Sequence, residues 1–378
     1  IEIPLDVIVS EVDDSNPQAW TLPGRPAPRA DQIADAAALL GAAKRPLIIA
    51  GGGAQDAAAD IRALAERLDA PVFMTINGKG IVPPHHPLAL SGNLGMVPLR
   101  EELKSADVVL AIGTAFGETE MYPEPHPVDI RGKLIHIDID PLQLVTQFPA
   151  NLPIVSDSSL AAAALVAALP GGKASNGGAE RAKAIRAAVD KGLWAACGTH
   201  KAIMKVVDEV LPGAIVAGDQ TEPVYCANQF YEAAQPRSYF NSSTGYGTLG
   251  YGLPAAFGAK LGAPNRPVIS LMGDGGIQFS IQEIAAAVEA GIAVAIIVWN
   301  NASYGEIKAF MAERDIPQIG VDIFTPDFVT LSKGLGCEAV APEDITEFKR
   351  ELAASTGRKV PTLIEIREGS PLANELKG

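Results

Sequence analysis

The sequence is short of positive charge, of cysteine and of long apolar runs. Thirty Lys and Arg stand against 44 Asp and Glu, a formal net charge of -14 over 378 residues. Nucleic-acid binding needs a basic face to neutralise phosphates. No Lys/Arg cluster supplies one, so no nucleic-acid partner is expected. The three cysteines, Cys197, Cys226 and Cys337, lie far apart and are odd in number. They offer neither a CxxC metal pattern nor a disulfide framework, and a reducing cytoplasm fits them best. No uninterrupted apolar run reaches the roughly 18 residues that mark a membrane helix, and no signal-peptide pattern is present. The adjacent His85 and His86 fall in the turn-rich stretch IVPPHHPLAL, where a solvated loop is a better reading than a metal site.

What remains is a globular composition, 48% hydrophobic and 20% charged, long enough for about two domains. The opening IEIPLDVI alternates like a β-strand and then breaks at proline. There is no initiator Met and no polar lead-in, so the chain reads as a fragment, a processed piece or half of a split enzyme. A Pro-rich stretch then leads into an amphipathic helix with Asp31 as its expected N-cap. RPLIIAGGGA, PVFMTI, ADVVLAIGTAF and KLIHIDIDP are strands separated by helices such as DAAADIRALAERLDA. Strand–helix alternation implies a mainly parallel sheet covered on both faces. Residues 170–180, PGGKASNGGAE, have linker composition. Beyond them GAIVAGD, RPVISLMGDG, AVAIIVWNN and VPTLIEIRE supply the strands of a second α/β region. The expected division is 1–23 as the end of a preceding domain, 24–169, a linker at 170–185, and 186–378.

The richest stretch is GDGGIQFSIQEIAAAVEAGIAVAIIVWNN, residues 273–301. PVISLM is a strand, Gly273–Gly276 a turn, IQFSIQEIAAAVEAG a helix, and AVAIIVW the next strand. This is one βαβ unit, so Asp274 and Asn301 are expected side by side at the carboxyl edge of the sheet. A carboxylate, an amide oxygen and a backbone carbonyl near Ser303 suit magnesium, which takes oxygen ligands and shares them with substrate phosphates. Glycines and a helix start suit a phosphate group. The bland alternative is a glycine turn and an Asx turn in an ordinary domain. The joint spacing favours a magnesium-bridged diphosphate.

This run resembles the thiamine-diphosphate motif, and STGYGTLGYGLPAAFGAKLGAP, residues 243–264, is similar to that family's glycine-rich approach to the cofactor. The surroundings look like the acetohydroxyacid synthase and benzoylformate decarboxylase branch. The resemblance covers nearly the whole chain. It implies a Rossmann-like central domain and a diphosphate-binding domain, with thiamine diphosphate and magnesium as cofactors. Asp274, Asn301 and the Ser303 carbonyl would hold the metal. Gly247, Gly273, Gly275, Gly276 and Tyr304 would line the cofactor. Leu249 matches the apolar residue that props thiamine into a bent shape, or is a plain core leucine. Thr221 either contacts the diphosphate or is a simple loop threonine.

The resemblance also implies a part not seen here. The family's catalytic glutamate sits on a pyrimidine-binding domain, and IEIPLDVI looks like that domain's last strand. No catalytic residue is therefore expected in this chain, which alone should bind cofactor weakly and turn over nothing. Active sites in the family form between subunits, so a homodimer or homotetramer is implied. After the double Asn, Ile307 and Phe310 share a helix face; they either line a substrate pocket or pack in the core. Glu306 either pairs with a cationic substrate tail, such as a guanidino group, or is solvated. The Gln-Trp pair typical of acetohydroxyacid synthases is not found. A decarboxylase of a larger 2-oxo acid, such as 5-guanidino-2-oxopentanoate, is then credible, with an acetolactate-type carboligase and a non-catalytic nucleotide-binding α/β protein as alternatives. The first domain is similar to the piece that holds FAD or ADP in some relatives, through Gly51-Gly52-Gly53, Gly113-Thr114 and Asp138-Ile139-Asp140. These lack the GxGxxG fingerprint, and a bare structural domain is preferred.

Overall fold

The computed structural model describes residues 2–12, 19–90, 92–121, 128–193, 195 and 197–377. Two six-stranded parallel sheets carry the chain. The first contains β1 (Pro46–Ala50), β2 (Val72–Met74), β3 (Ala89–Leu90), β4 (Val108–Ile112), β5 (Lys133–Asp138) and β6 (Leu152–Val155), in the order β3-β2-β1-β4-β5-β6. The second contains β7 (Ile215–Gly218), β8 (Tyr239–Asn241), β9 (Val268–Gly273), β10 (Ala295–Asn300), β11 (Glu338–Val340) and β12 (Thr362–Arg367), in the order β11-β12-β10-β9-β7-β8. Every pairing is parallel. The central strands are continuous apolar runs because both faces are covered. In β10, Ala295, Ile297 and Trp299 pack into one cluster while Ile296 and Val298 pack into the one opposite. Each such burial is worth about 1.5–3 kcal/mol, so the strand that ends in Asn300 is firmly placed.

The chain begins differently from its alternating pattern. Leu5–Ile8 form a short helix with every residue exposed, and the Val7 and Ile8 amides donate to the Pro4 carbonyl. A strand needs a partner to take its amides; Pro4 offers a local carbonyl instead. Asp31 is not the N-cap: the helix Ala30–Ala42 starts after Arg29, whose guanidinium grips the Asp31 carboxylate at 2.6 and 3.0 Å. Within the linker-like stretch a helix begins, Gly178–Lys191, and its Ala182, Ile185 and Val189 pack beneath the first sheet. The single helix expected after the GDGG turn is broken into Asp274–Ile277 and Glu283–Glu289. Between them Phe279 and Ser280 donate to the Gly276 and Ile277 carbonyls, the tighter three-residue spacing. The loop carrying Gly250 presses there: a Cβ on Gly250 would lie 2.9 Å from the Phe279 Cβ.

The cysteine expectation is overturned. Cys197 and Cys226 form a disulfide between the helices Cys197–Val210 and Glu222–Phe230, and Cys337 is free and buried. Residues distant in sequence were brought together by helix pairing, which spacing alone does not reveal.

The two sheets meet at a polar seam. Ile76 joins the second sheet's core, Lys79 Nζ donates to the Tyr231 carbonyl at 2.7 Å, and Asn77 Nδ2 donates to Thr244 Oγ1 at 3.1 Å. Glu120 is buried there and accepts from the Ile76 amide. Among the described residues no helix is long and apolar enough to cross a membrane.

Candidate active site at the carboxyl edge of the second sheet

In the second sheet the chain leaves β7 toward β8 on one side and returns as β9 on the other. Ligands in open α/β sheets bind at such a reversal, beyond the carboxyl ends of the strands. A cleft of about 670 Å³ lies there, and all the candidate site residues except Phe310 line it. Another cleft of similar size lies between the helix Gly178–Lys191 and the end of the helix Glu222–Phe230. Several of its charges are paired within the protein, Lys201 by Asp190, Asp208 by the Tyr231 hydroxyl, and Arg186 by the Pro87 and Ala89 carbonyls. The residues singled out from the sequence gather instead in the cleft at the strand ends.

Asp274 sits on the cleft floor immediately after β9. Its side chain is buried, and Oδ2 has no hydrogen-bond partner. Burial pushes the carboxyl up to about 6, while backbone N–H groups of Gly275, Ala302 and Ser303 draw it down. A buried carboxylate with an open oxygen is costly unless something pairs it. The residues fit a cation: Asp274 keeps one carboxylate oxygen without a partner, and Asn301 and Ser303 line the same cleft. Among the described residues no group of three or more His, Cys, Asp or Glu is arranged to hold a metal ion. A cation here would thus lean on one carboxylate, on amide and carbonyl oxygens, and on its ligand's phosphates, which is a magnesium pattern.

The doubled asparagine divides its labour. Asn300 is buried; its Oδ1 accepts from the Ala302 amide at 3.1 Å and its Nδ2 donates to Glu365 at 2.7 Å. That clamp holds Ala302 in the left-handed region, φ 53°, where a non-glycine residue is strained. Asn301 then reaches the cleft, its Oδ1 accepting from the Ser303 amide and hydroxyl, each at 3.2 Å. The turn is pinned from outside by Tyr304 N to the Val321 carbonyl and by Ile323 N to the Ala302 carbonyl.

The glycines are required by contact. A Cβ on Gly273 would lie 2.7 Å from Thr221 Oγ1, one on Gly275 would lie 2.6 Å from the Tyr304 ring, and one on Gly276 would lie 2.7 Å from Asp219 Oδ2. Thr221 precedes the helix Glu222–Phe230 without capping it, so its hydroxyl is left to face the GDG turn. Leu249 is half-buried at the cleft wall rather than in the core. It is held by Asp219, whose Oδ2 accepts from the Gly250 amide at 2.7 Å and whose Oδ1 accepts from the Gln220 amide at 2.8 Å. Asp219 was missed by sequence reasoning, although GDQ ends β7 in the way GDG ends β9.

Ile307 and Phe310 are 51% and 50% exposed, which excludes the core-packing reading. Ile307 lines the cleft; Phe310 lies outside it, its ring under the Arg314 guanidinium at 3.5 Å. Glu306 is exposed at one edge yet crowded by the cleft wall; burial, then the negative charges of Glu222 and Glu313, raise its carboxyl above the ordinary range. Glu222 was also missed. It lines the same cleft, and buried His200 places Nε2 at 3.7 Å from Glu222 Oε1.

Fold and cleft together describe an α/β protein of two parallel sheets with a candidate ligand site at the carboxyl edge of the second. Residues 33–165 match the family described as thiamine pyrophosphate enzyme, central domain, and residues 219–366 match its C-terminal TPP binding domain. The chain belongs to the thiamine pyrophosphate enzyme family. It is 39% identical over 371 residues to the probable 2-ketoarginine decarboxylase of Pseudomonas aeruginosa, covering 97% of this chain and 66% of that protein. It is 33% identical to the acetolactate synthase large subunit of Corynebacterium glutamicum, covering 90% of this chain and 57% of that protein. With the acetolactate synthase isozyme 1 large subunit of Escherichia coli the identity is 31%, over 97% and 66%. The chain spans just under two thirds, or less, of the length of these relatives.

Proposed function

We propose that the protein carrying this chain binds thiamine diphosphate and magnesium at the Asp274–Asn301 cleft and decarboxylates a 2-oxo acid with a cationic tail. The observation that carries the cofactor reading is the partnerless Asp274 oxygen beside the clamped Asn301–Ser303 turn. Asp274, the Asn301 amide oxygen and the Ser303 carbonyl would hold magnesium. Thr221, Gly273, Gly275, Gly276 and Tyr304 would surround the diphosphate, and Gly247 and Leu249 would pack against the rings. When bound, the cofactor supplies an acceptor for the electron pair left as carbon dioxide departs. This chain's residues orient and enclose: Leu249 fixes a contact wall, and the Asn300 clamp keeps the metal turn from relaxing.

Substrate choice rests on Glu306 and Ile307, with Phe310 at the rim. An acidic wall favours a guanidino or amino tail over pyruvate, which agrees with the 2-ketoarginine decarboxylase among the relatives. The acetolactate synthases keep a carboligase as the second reading. The division at 24–169 and 186–378 is retained as part of this proposal. So are a pyrimidine-binding domain carrying the catalytic glutamate and a homodimer or homotetramer. Tyr246, Phe324 and Ile319, 105%, 85% and 78% exposed, are large apolar groups that such an assembly would cover. A cytoplasmic setting is proposed, with Cys197 and Cys226 wholly buried from reductant.

Two titrations test the reading. Cofactor binding to the native protein should need both magnesium and the thiamine ring; equal binding of ADP or inorganic diphosphate would instead support a nucleotide-binding protein. Glu306→Gln should raise KM about 10-fold for 5-guanidino-2-oxopentanoate and much less for pyruvate, the loss of one charge-assisted contact. Equal effects on both would remove Glu306 from substrate recognition.

A further inference from the structure

We propose that Glu222 is a second carboxylate for the substrate's cationic end, gripping it together with Glu306, and that His200 positions Glu222 for this task. The inference rests on the cationic-substrate reading above and adds the residue that makes the grip two-sided.

The cleft has an unbalanced charge. Glu222, Asp274, Glu306 and Glu368 all line it, against a single cation, Lys308. Lys308 is already engaged, its Nζ 2.6 Å from Asp322. A magnesium ion held by Asp274 would be accompanied by a diphosphate with its own negative charge, so it would not relieve the other carboxylates. Glu222 and Glu306 line the same cleft, and the Glu222 charge is among the causes that raise the Glu306 carboxyl. Two carboxylates set against each other with no cation between them are unfavourable, and a ligand cation removes the repulsion.

The surroundings hold Glu222 ionised. His200 is first among the causes that keep its carboxyl below the ordinary range, and the Trp299 indole adds to the effect. His200 is 1% exposed, and its ring meets the Trp299 ring edge-on at 4.7 Å. It therefore cannot swing into the cleft to serve as a ligand itself. It stands behind Glu222 on the neighbouring helix. The Cys197–Cys226 bridge joins the same two helices, three residues before His200 and four after Glu222. Sulfur and imidazole thus fix one helix against the other at two points, and Glu222 projects from the resulting corner.

A pair of carboxylates suits a guanidinium better than an ammonium. The guanidinium is planar with five donors in a fixed fork, so two acceptors can engage different edges at once. Ile307 in the same wall offers apolar contact for a methylene stem. The preferred substrate class is therefore a 2-oxo acid with a terminal guanidino group.

The test compares three 2-oxo acids in the native protein: 5-guanidino-2-oxopentanoate, its neutral isostere 5-ureido-2-oxopentanoate, and 6-amino-2-oxohexanoate. The wild type should prefer guanidino to ureido. Glu222→Gln should cut the ratio of their kcat/KM by about 10- to 100-fold, mostly through KM, as the loss of a charge-assisted contact does. Glu222→Asp should recover part of the ratio. His200→Gln, which leaves the carboxylate in place but unsupported, should lower the ratio by about 3-fold. If Glu222→Gln lowers both substrates equally or leaves the ratio unmoved, Glu222 does not read the cation and the proposal is overturned. Should Glu222→Gln fail to fold, the ratio in His200→Gln decides, and an unmoved ratio there overturns the proposal equally. A wild type without preference for guanidino over ureido would instead bring down the cationic-substrate reading beneath it.

Discussion

The Asn300–Asn301 pair gives the sharpest separation between holding a site and being the site. Asn300→Ala removes a hydrogen bond to the Ala302 amide and one to the Glu365 carboxylate. A bond to an ionised acceptor contributes about 1.5–3 kcal/mol and one to a backbone amide about 1 kcal/mol. Glu365 keeps Arg367, at 2.9 and 3.2 Å, so its charge is not left bare. The expected loss is about 2–4 kcal/mol, with the left-handed Ala302 turn released in the same step. Asn301→Ala makes the same truncation one residue later. There the side chain is only half-buried and holds a local turn, so the stability loss should stay below about 1 kcal/mol. Its effect should fall on magnesium-dependent cofactor binding. Urea unfolding of the second domain, followed by fluorescence, gives the first quantity; magnesium-dependent thiamine diphosphate titration gives the second. Asn300→Ala should lose both, Asn301→Ala chiefly the second. The reasoning is refuted if Asn301→Ala unfolds more easily than Asn300→Ala, or if Asn300→Ala keeps wild-type stability.

Two further perturbations probe the frame. Without reductant, a single thiol per chain, Cys337, should label after denaturation, and three should label once reductant is added; three at the outset would show the helix pair unbridged. Cys226→Ser should then cost about 3–4 kcal/mol from a loop of 29 residues. At the seam between the sheets, burial raises the Glu120 carboxyl to about 7 from 4.5 and lowers Lys79 to about 8. Between pH 4.5 and 7 the folded chain keeps a proton on Glu120 that the unfolded chain releases, so this residue makes stability fall as pH rises. Glu120→Gln should remove that slope, on the order of 3 kcal/mol across the window. Thermal melts of wild type and variant that stay parallel from pH 5 to 7 would refute it.

Much of this architecture was legible because fully buried strands read as uninterrupted apolar runs. PLIIA, VVLAI, AIIVWN and TLIEIR are strands in the structure as in the sequence. Asp274 and Asn301 were legible because a βαβ crossover brings successive strand ends to one edge. Asp219 and Glu222 were equally available, since GDQTE also follows a strand, but nothing local marks it as part of the same crevice. That requires the order β10-β9-β7, which places β7 beside β9 across more than 50 residues of chain. The broken helix after GDGG has a similar cause: a helical pattern continues through residues 277–291, and a distant loop at Gly250 tightens it. Asp31 was misassigned as a cap because a neighbouring arginine competes for its carboxylate.

The two sheets treat their points of strand reversal in opposite ways. In the first, the loops after β1 and β4 touch backbone to backbone. Gly53 N donates to the Gly113 carbonyl at 2.9 Å, and a Cβ on Gly51 would lie 2.2 Å from that same oxygen. Glycine there allows closure. In the second sheet, glycine instead lets side chains approach a turn: Thr221 at Gly273, Tyr304 at Gly275 and Asp219 at Gly276. The loops are then fixed by polar clamps, Asp219 on Gly250 and Asn300 on Ala302 and Glu365. Each clamp keeps its donors and acceptors within the protein, which leaves Asp274 Oδ2 as the open valence on the cleft floor.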